Sequence, residues 1–150
     1  MLNFRKFEDN DLDRVAELEQ QAFSDAWTRN SIYETSRQGQ AFITVAEEAG
    51  EVAAYCIIYY VLDEGEIARI AVDERWRRKG VGRGLLDYTC VCCKEKQIDR
   101  LLLDVRESNA NARAFYKKYG FVEDGIRKNF YEMPKEHAVL MSMTIDSLSH

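Results

Sequence analysis

Residues Arg75–Leu86 read RWRRKGVGRGLL, five cations and three glycines in twelve residues of a chain whose formal net charge is −5. Upstream lies GEIARIAV (65–72), an apolar, β-branched run with strand character. Downstream, Val81, Leu85 and Leu86 open a helical apolar pattern that continues toward Gln97. The glycine-spaced turn therefore joins a strand to a helix start, where backbone N–H groups lack intrahelical partners and the helix dipole is positive. Glycine allows unusual dihedrals and close backbone approach there. The combination makes a cradle for phosphate. Arg75, Arg77, Arg78, Lys79 and Arg83 add charge suited to a ligand with several phosphates. The local motif leaves two other readings open, a solvated cationic face and a nucleic-acid patch. It is not a Walker A loop, because GxxxxGK[ST] is absent, and GxGxxG fails because Leu85, Leu86 and Asp87 follow Gly84.

The rest of the chain sets the context. Its 150 residues, 46% hydrophobic and 31% charged, fit one globular domain over 1–150 with room for a real core. The acidic balance argues against coating nucleic acid through overall charge, so no direct nucleic-acid binding is expected. MLNFRKFEDN at the start lacks the apolar centre of a signal peptide. The longest apolar run, VAAYCIIYYVL (52–62), is too short to span a bilayer. The reading is a soluble cytoplasmic protein with no membrane partner. Cys90 and Cys93 form a C-x-x-C, a spacing used by redox and metal sites. No second ligand pair accompanies it, the only histidines being His137 and His150, so no metal is expected. Cys56, Cys90, Cys92 and Cys93 read as small apolar thiols in a reducing compartment.

Periodicity places a first strand at Leu2–Arg5. Asn10 reads as an N-cap, with Asp13 three residues on, ahead of a helix carrying Leu12, Val15, Leu18 and Ala22. A second helix covers Thr28–Arg37. AFITVAEE and EVAAYCIIYYVL, separated by AG, read as an antiparallel hairpin, and GEIARIAV as the next strand. RLLLDV is a nearly continuous apolar strand suited to the middle of a sheet. Ser108 then caps a helix holding Phe115, Tyr116 and Tyr119, which Gly120 ends. Strands around FVEDGIRKNFY and AVLMSMTI follow. The order β-α-α-β-β-β-α-β-α-β-β is a mixed α+β sheet with helices on its faces.

RRKGVG (77–82) matches the Q/R-x-x-G-x-G/A signature of the GNAT family of N-acetyltransferases. IARIAVDERWRRKGVG is similar to that family's fourth strand and turn, and LDVRESNANARAFYKKYGF to its fifth strand and fourth helix. The resemblance implies the GNAT fold, a mostly antiparallel sheet splayed between its fourth and fifth strands with helices on both faces. It implies acetyl-coenzyme A (acetyl-CoA) as cosubstrate, its pyrophosphate held at Arg78, Lys79, Gly80, Val81, Gly82 and Arg83. The pantetheine arm would pair with the backbone of Ile70, Ala71 and Val72, where an N–H polarises the thioester oxygen. Asn109 matches the family asparagine that contacts the cofactor. VLDEGEIARIAV, VRESNANARAFY and IRKNFYEMPKEHAVLMSM further resemble the ribosomal-protein-alanine N-acetyltransferase (RimI) branch. That branch acts on the N-terminal alanine of a small-subunit ribosomal protein, so a basic ribosomal protein N-terminus is the implied partner. AFSDAWT resembles a segment of that branch with Ala26 in place of its usual proline.

Acyl transfer from a thioester to an amine needs a neutral nucleophile, a polarised carbonyl and a protonated leaving thiolate. By resemblance Tyr116 is the phenol that protonates the thiolate; read from its helix alone, it is a core aromatic beside Phe115 and Tyr119. Asp104 falls where the branch carries glutamate as general base. Aspartate is shorter by one carbon–carbon bond, about 1.5 Å, which favours proton transfer through water over direct abstraction. The structural alternative is a strand-end carboxylate binding a neighbour or the incoming ammonium. An α-amine, with pKa about 7.7–8, is already about one-fifth neutral at physiological pH, whereas lysine is neutral only about one part in a thousand. An N-terminal acetyltransferase therefore manages with a weak base. Glu64 and Glu66 are reserve bases or solvated strand-end carboxylates. Tyr131, by resemblance, lies beside the peptide's first residue, and otherwise is a surface aromatic. Asp25, Glu34 and Glu132 can attract a basic substrate. Competing readings are a transferase for a small amine or lysine side chain, and an acetyl-CoA sensor without turnover.

Overall fold

The apolar runs and helical stripes of the sequence fold into seven strands and four α-helices in the computed structural model, which describes residues 1–145. In chain order these are β1 (Asn3–Lys6), α1 (Leu12–Ala22), α2 (Arg29–Ser36), β2 (Ala41–Glu48), β3 (Glu51–Val61), β4 (Glu64–Val72), α3 (Val81–Glu95), β5 (Arg100–Arg106), α4 (Ala110–Tyr119), β6 (Val122–Glu132) and β7 (Lys135–Thr144). The strands form one sheet in the order β1-β2-β3-β4-β5-β7-β6, with only β4 and β5 parallel. The mixed, mostly antiparallel sheet with helices on both faces is the expected one, in the expected element order.

Two cores sit on opposite faces of the sheet. Against α3 and α4 pack Ile58, Ile67, Leu101, Leu103, Val105 and Met141, with Leu85, Leu86 and Phe121. Against α1 and α2 pack Ile43, Val45, Tyr55, Ile57 and Ala71, with Leu12, Val15, Leu18 and Ile32. Strand β3 is buried on both faces from Val52 to Ile58, which explains its unbroken apolar run. The β2–β3 turn uses Ala49 and Gly50, both at positive φ, as a two-residue hairpin requires.

Strands β4 and β5 diverge. Only Glu64, Gly65 and Glu66 pair with β5, opposite Arg100, Leu101 and Leu102. A register shift against β3 at Ile57/Ile58 re-aims β4 just there. Beyond it β4 follows β3 to Val72, whereas β5 pairs with β7 along its whole length. The backbone of Ile67–Val72 is thus left without a strand partner on the side of the gap.

Two helix starts differ from the sequence reading. Asn10 is not a cap: it lies inside a 3-10 turn, Asp9–Asp11, ahead of α1. Buried Asp11, clamped by Arg5 at 2.8 Å, accepts the Glu8 N–H at 2.8 Å instead, because an ion pair to β1 fixes that carboxylate where the orphan donor points. Ser108 is not the cap of α4 either. Asn109 is, its Oδ1 accepting the Ala112 N–H at 3.1 Å, while the Ser108 N–H donates to Glu136 at 2.6 Å.

Gly84 lets α3 lie against Phe4 of β1, since a Cβ there would stand 2.5 Å from the ring's Cζ. Gly84→Ala is expected to destabilise the fold by about 1–3 kcal/mol through overpacking. In a Phe4→Ala background the same change should be neutral or stabilising by up to about 1 kcal/mol, because alanine is the better helix former. Denaturant melts of the four proteins measure this coupling, and equal costs in both backgrounds would show that the ring is not the obstacle.

Candidate active site

The cationic turn divides its labour. Asp73, at the end of β4, receives the Arg75 N–H at 2.8 Å and is clamped by the Arg75 and Arg14 side chains. Arg75 holds this carboxyl well below the usual carboxylate range, with Arg14 adding to the effect. Arg75 also reaches Glu51 at 2.5 Å and lies 4.7 Å from the centre of the Trp76 ring. The Arg77 Nε–H donates to the Val72 carbonyl at 3.3 Å. Arg75 and Arg77 therefore build the turn. The chain then passes Arg78 and Gly80 at positive φ, and Gly80 caps α3 without any side-chain acceptor. The N–H groups of the first α3 turn, Val81 to Arg83, so face the space in front of the helix unsatisfied. Arg78, Lys79 and Arg83 enter no ion pair with the described residues. Arg83 lies 5.8 Å from the centre of the Tyr119 ring, and donors, dipole and these three cations together suit a polyphosphate. Helix α4 stands close by, a Cβ on Gly82 coming 3.4 Å from the Phe115 ring. Asn109 commits its Oδ1 to capping α4, which leaves its amide nitrogen for a ligand.

The other predicted residues lie on three elements, Asp104 on β5, Tyr116 on α4 and Tyr131 on β6. Along β5, Leu101, Leu103 and Val105 turn into the α3/α4 core, while Leu102, Asp104 and Arg106 turn the other way. Asp104 lines a groove of about 720 Å³ with Tyr59, Glu66, Leu102, Arg127 and Leu140. Burial pushes the Asp104 carboxyl above its ordinary value, and Arg127 opposes the shift. Glu66 is pushed up by burial and then by the Asp104 charge. Tyr116, on α4, belongs to the α3/α4 core. It is 8% exposed, wedged edge-on between Phe115 and Phe121 at centroid distances of 5.3 and 5.4 Å. Its hydroxyl has no hydrogen-bond partner among the described residues. Burial drives its phenol pKa up, with smaller contributions from Cys56 and Tyr131. Tyr131, half-buried on β6, lies under the Arg106 guanidinium at 4.3 Å. Burial, then the Asp104 charge, pushes its phenol up to about 12. Tyr131 thus interacts electrostatically with both Asp104 and Tyr116, residues from three separate elements that the fold assembles.

Four further residues, absent from the sequence reading, support this end of the gap. Glu19 of α1 is fully buried; it accepts hydrogen bonds from the Tyr55 hydroxyl and from the Trp27 N–H at 2.9 Å. Arg69 of β4 places Nε 2.9 Å from the same carboxylate. A signal existed: Glu19 falls on the inward stripe of α1, four residues after Val15, and Arg69 interrupts the apolar run IARIAV. A carboxylate and a cation at two inward positions have to find partners, most economically each other. The cysteines expected as packing groups are buried free thiols, Cys90, Cys92 and Cys93 on α3 and Cys56 on β3. Among the described residues no group of three His, Cys, Asp or Glu side chains is arranged to hold a metal, and no helix is long and apolar enough to cross a membrane.

Comparison with known proteins adds an independent line. The family model for the acetyltransferase (GNAT) family matches residues 12–121. A Bacillus subtilis relative is 39% identical over 137 residues, 91% of each chain. The Escherichia coli protein named ribosomal protein bS18-alanine N-acetyltransferase is 34% identical over 148 residues, 97% of this chain and 99% of that one. The crystal structure of the ribosomal-protein-S18-alanine N-acetyltransferase from Escherichia coli superposes with a TM-score of 0.88 at 31% identity, covering 100% of this chain and 97% of that one.

The elevated Asp104 carboxyl has a consequence for stability. A carboxyl raised on folding contributes stability below its unfolded value, about 3.9, and loses it as pH rises through the folded value. At neutral pH the ionised side chain therefore opposes folding. Asp104→Asn is expected to raise Tm by about 1–3 °C near neutral pH, with the gain vanishing below about pH 4. Calorimetric scans at both pH values check this; a lower Tm at neutral pH would mean that the carboxylate stabilises the fold.

Proposed function

The chain belongs to the acetyltransferase (GNAT) family and is an N-acetyltransferase, and on that premise we propose that it acetylates the N-terminal alanine of a small-subunit ribosomal protein in the cytoplasm, using acetyl-CoA. The observation that carries this reading is the open gap where β4 parts from β5, with Asp104 lining the groove beside it and β4 running on to the α3 cradle. The printed name of the Escherichia coli relative, matched over nearly its whole length, supports the choice of acceptor.

In this reading Arg78, Lys79 and Arg83, with the N–H groups of Gly80, Val81 and Gly82, hold the pyrophosphate, and the Asn109 amide adds a donor. Acetyl-CoA supplies the activated acetyl group as a thioester. The unpaired backbone of Ile70, Ala71 and Val72 receives the pantetheine arm by strand-like pairing, and an N–H in this stretch polarises the thioester oxygen. Ile70 and Val72 turn their side chains to the α3/α4 core and Ala71 to the opposite one, which fixes this edge rigidly.

Asp104 accepts the proton that the α-amine loses as its nitrogen bonds to the carbonyl carbon. The side chain is one carbon–carbon bond shorter than glutamate, about 1.5 Å, so a water molecule completes the relay. Its elevated carboxyl makes it a better proton acceptor than an ordinary aspartate. When the carbon–sulfur bond breaks, the Tyr116 phenol gives its proton to the departing thiolate. Burial raises that phenol and so favours its protonated form, and no acceptor among the described residues competes for its hydrogen. Tyr131, backed by Arg106, offers a flat wall beside a short first residue. Glu66 and Asp104 in the groove attract the cationic residues that follow in a basic substrate.

The direct experiment is free-thiol release from acetyl-CoA with two peptides, one with a free N-terminal alanine followed by basic residues, the other N-blocked with an internal lysine. Turnover is expected only on the first. Turnover only on the second would reassign the acceptor, and binding of acetyl-CoA without turnover on either would make the chain a sensor. Tyr116→Phe keeps the ring packing and should lower kcat by about 10²–10⁴-fold; activity near that of the wild type would remove the acid role. Asp104→Asn should lower kcat/KM by about tenfold to a hundredfold, less than usual for a general base, because part of the α-amine is already neutral.

A further inference from the structure

We propose that Arg69 is a positioning residue of the acceptor site, clamping the α1–α2 loop into the wall that receives the substrate's first residues; this rests on the N-terminal acetyltransferase reading given above.

The loop between Ala22 and Thr28 has no regular backbone pairing of its own. One strand-borne guanidinium touches it along its whole length. Arg69 lies on β4 three residues past Glu66, on the stretch that has parted from β5. Its Nη2 donates to the Asp25 carbonyl at 2.8 Å and approaches Asp25 Oδ1 at 3.4 Å. Its plane covers the Phe23 ring at 4.3 Å and faces Trp27 at 5.5 Å, so it touches the loop at its start, middle and end. Buried Glu19 fixes the guanidinium from below, and the same carboxylate takes the Trp27 N–H, so one buried charge holds both clamp and loop. The Arg69 Nε–H has no aligned acceptor although Glu19 Oε2 stands 2.9 Å away, so this contact works by charge more than by a directed hydrogen bond.

The clamped loop then meets the other side of the gap. The Ser24 hydroxyl donates to the Met133 carbonyl at 3.3 Å in the β6–β7 turn. Arg106 of β5 donates to that same carbonyl at 3.1 Å and to the Pro134 carbonyl at 2.9 Å, and it stacks on Tyr131. The contacts run from Glu19 through Arg69, the loop and Met133 to Arg106 and Tyr131, bridging β4 to β5 across the opening where a peptide N-terminus would enter. The Met133 carbonyl shared by Ser24 and Arg106, with Tyr131 under the same Arg106, puts the clamped loop beside the acceptor site rather than behind it. The α3 cradle shares none of these residues. Loss of the clamp therefore loosens acceptor binding and leaves acetyl-CoA binding alone. Lysine would keep the charge but lose the planar fork that donates to Asp25 while stacking on two rings.

Arg69→Met alone would strand a buried Glu19 charge, so the decisive variant is the charge-neutral pair Glu19→Gln with Arg69→Met. Steady-state thiol release with the alanine peptide should show peptide KM raised by about tenfold or more, with acetyl-CoA KM within about twofold and kcat within about threefold of the wild type. Arg69→Lys should fall between the two. Amide hydrogen exchange should accelerate about tenfold or more at residues 23–27 and stay unchanged in α3. An unchanged peptide KM, or both KM values rising together, overturns the proposal. If the wild-type protein ignores the alanine peptide, the proposed substrate falls. The KM comparison then passes to the amine it does accept, and unaltered exchange at residues 23–27 overturns the clamp by itself.

Discussion

The parting of β4 from β5 after the Glu66–Leu102 pair is the constraint on which the rest of the molecule turns. A parallel pair that continued would satisfy the backbone of Ile67–Val72 and close the sheet. By stopping after three residues, the pair leaves a strand edge with unspent donors and acceptors inside the domain, bounded by a hydrophobic core on each face. Buried backbone without partners is costly, so such an edge persists only where water or an extended ligand can satisfy it. From the gap β4 runs on toward the Gly80 cap of α3, and Asp104 lies on β5, the strand that parts from it. A ligand with phosphates at one end and a reactive group at the other fits that line.

Charge is arranged around this gap in two distinct ways. Near the cradle, Arg75 is spent on Asp73 and Glu51 and Arg77 on a carbonyl, so that the turn is rigid before any ligand arrives. Arg78, Lys79 and Arg83 stay out of ion pairs with the described residues. In the groove beside β5, burial raises both Glu66 and Asp104, the Asp104 charge adds to the shift of Glu66, and Arg127 tempers both. Carboxylates placed this way are strained electrostatically, and the fold carries the cost because each core contributes a full set of buried aliphatic side chains.

The buried Glu19–Arg69 contact belongs to a third arrangement. Ion pairs in a core are poor sources of stability, since desolvation offsets the attraction. Their use here is geometric. Hydrophobic contact alone would let the α1–α2 loop settle in several ways, whereas a planar guanidinium with a fixed carboxylate beneath it and two rings against it allows few.

How much of this was legible depended on the range of the interaction. The strand–turn–helix at Gly80, the AG hairpin and the Gly120 stop were readable because local dihedral and periodicity rules decide them. The family motifs pointed to Asp104, Tyr116 and Tyr131, although the sequence spaces them apart by 12 and 15 positions and no local rule joins them. The caps at Asn10 and Ser108 were misplaced because Arg5 and Glu136, distant in sequence, redirect which donor is satisfied by which side chain. Charge pattern alone treated the five cations of the turn alike and the family motif singled out Arg78, Lys79 and Arg83; the structure adds that Arg75 is spent on Glu51 and Asp73 and Arg77 on the Val72 carbonyl. The sequence by itself determined the elements, their order and the cradle, since those follow from residues within a few positions of one another. Tertiary structure alone decided where β4 leaves β5, which charges are spent, and that Arg69 meets Glu19, because each of these depends on contacts between segments that only the closed sheet brings together.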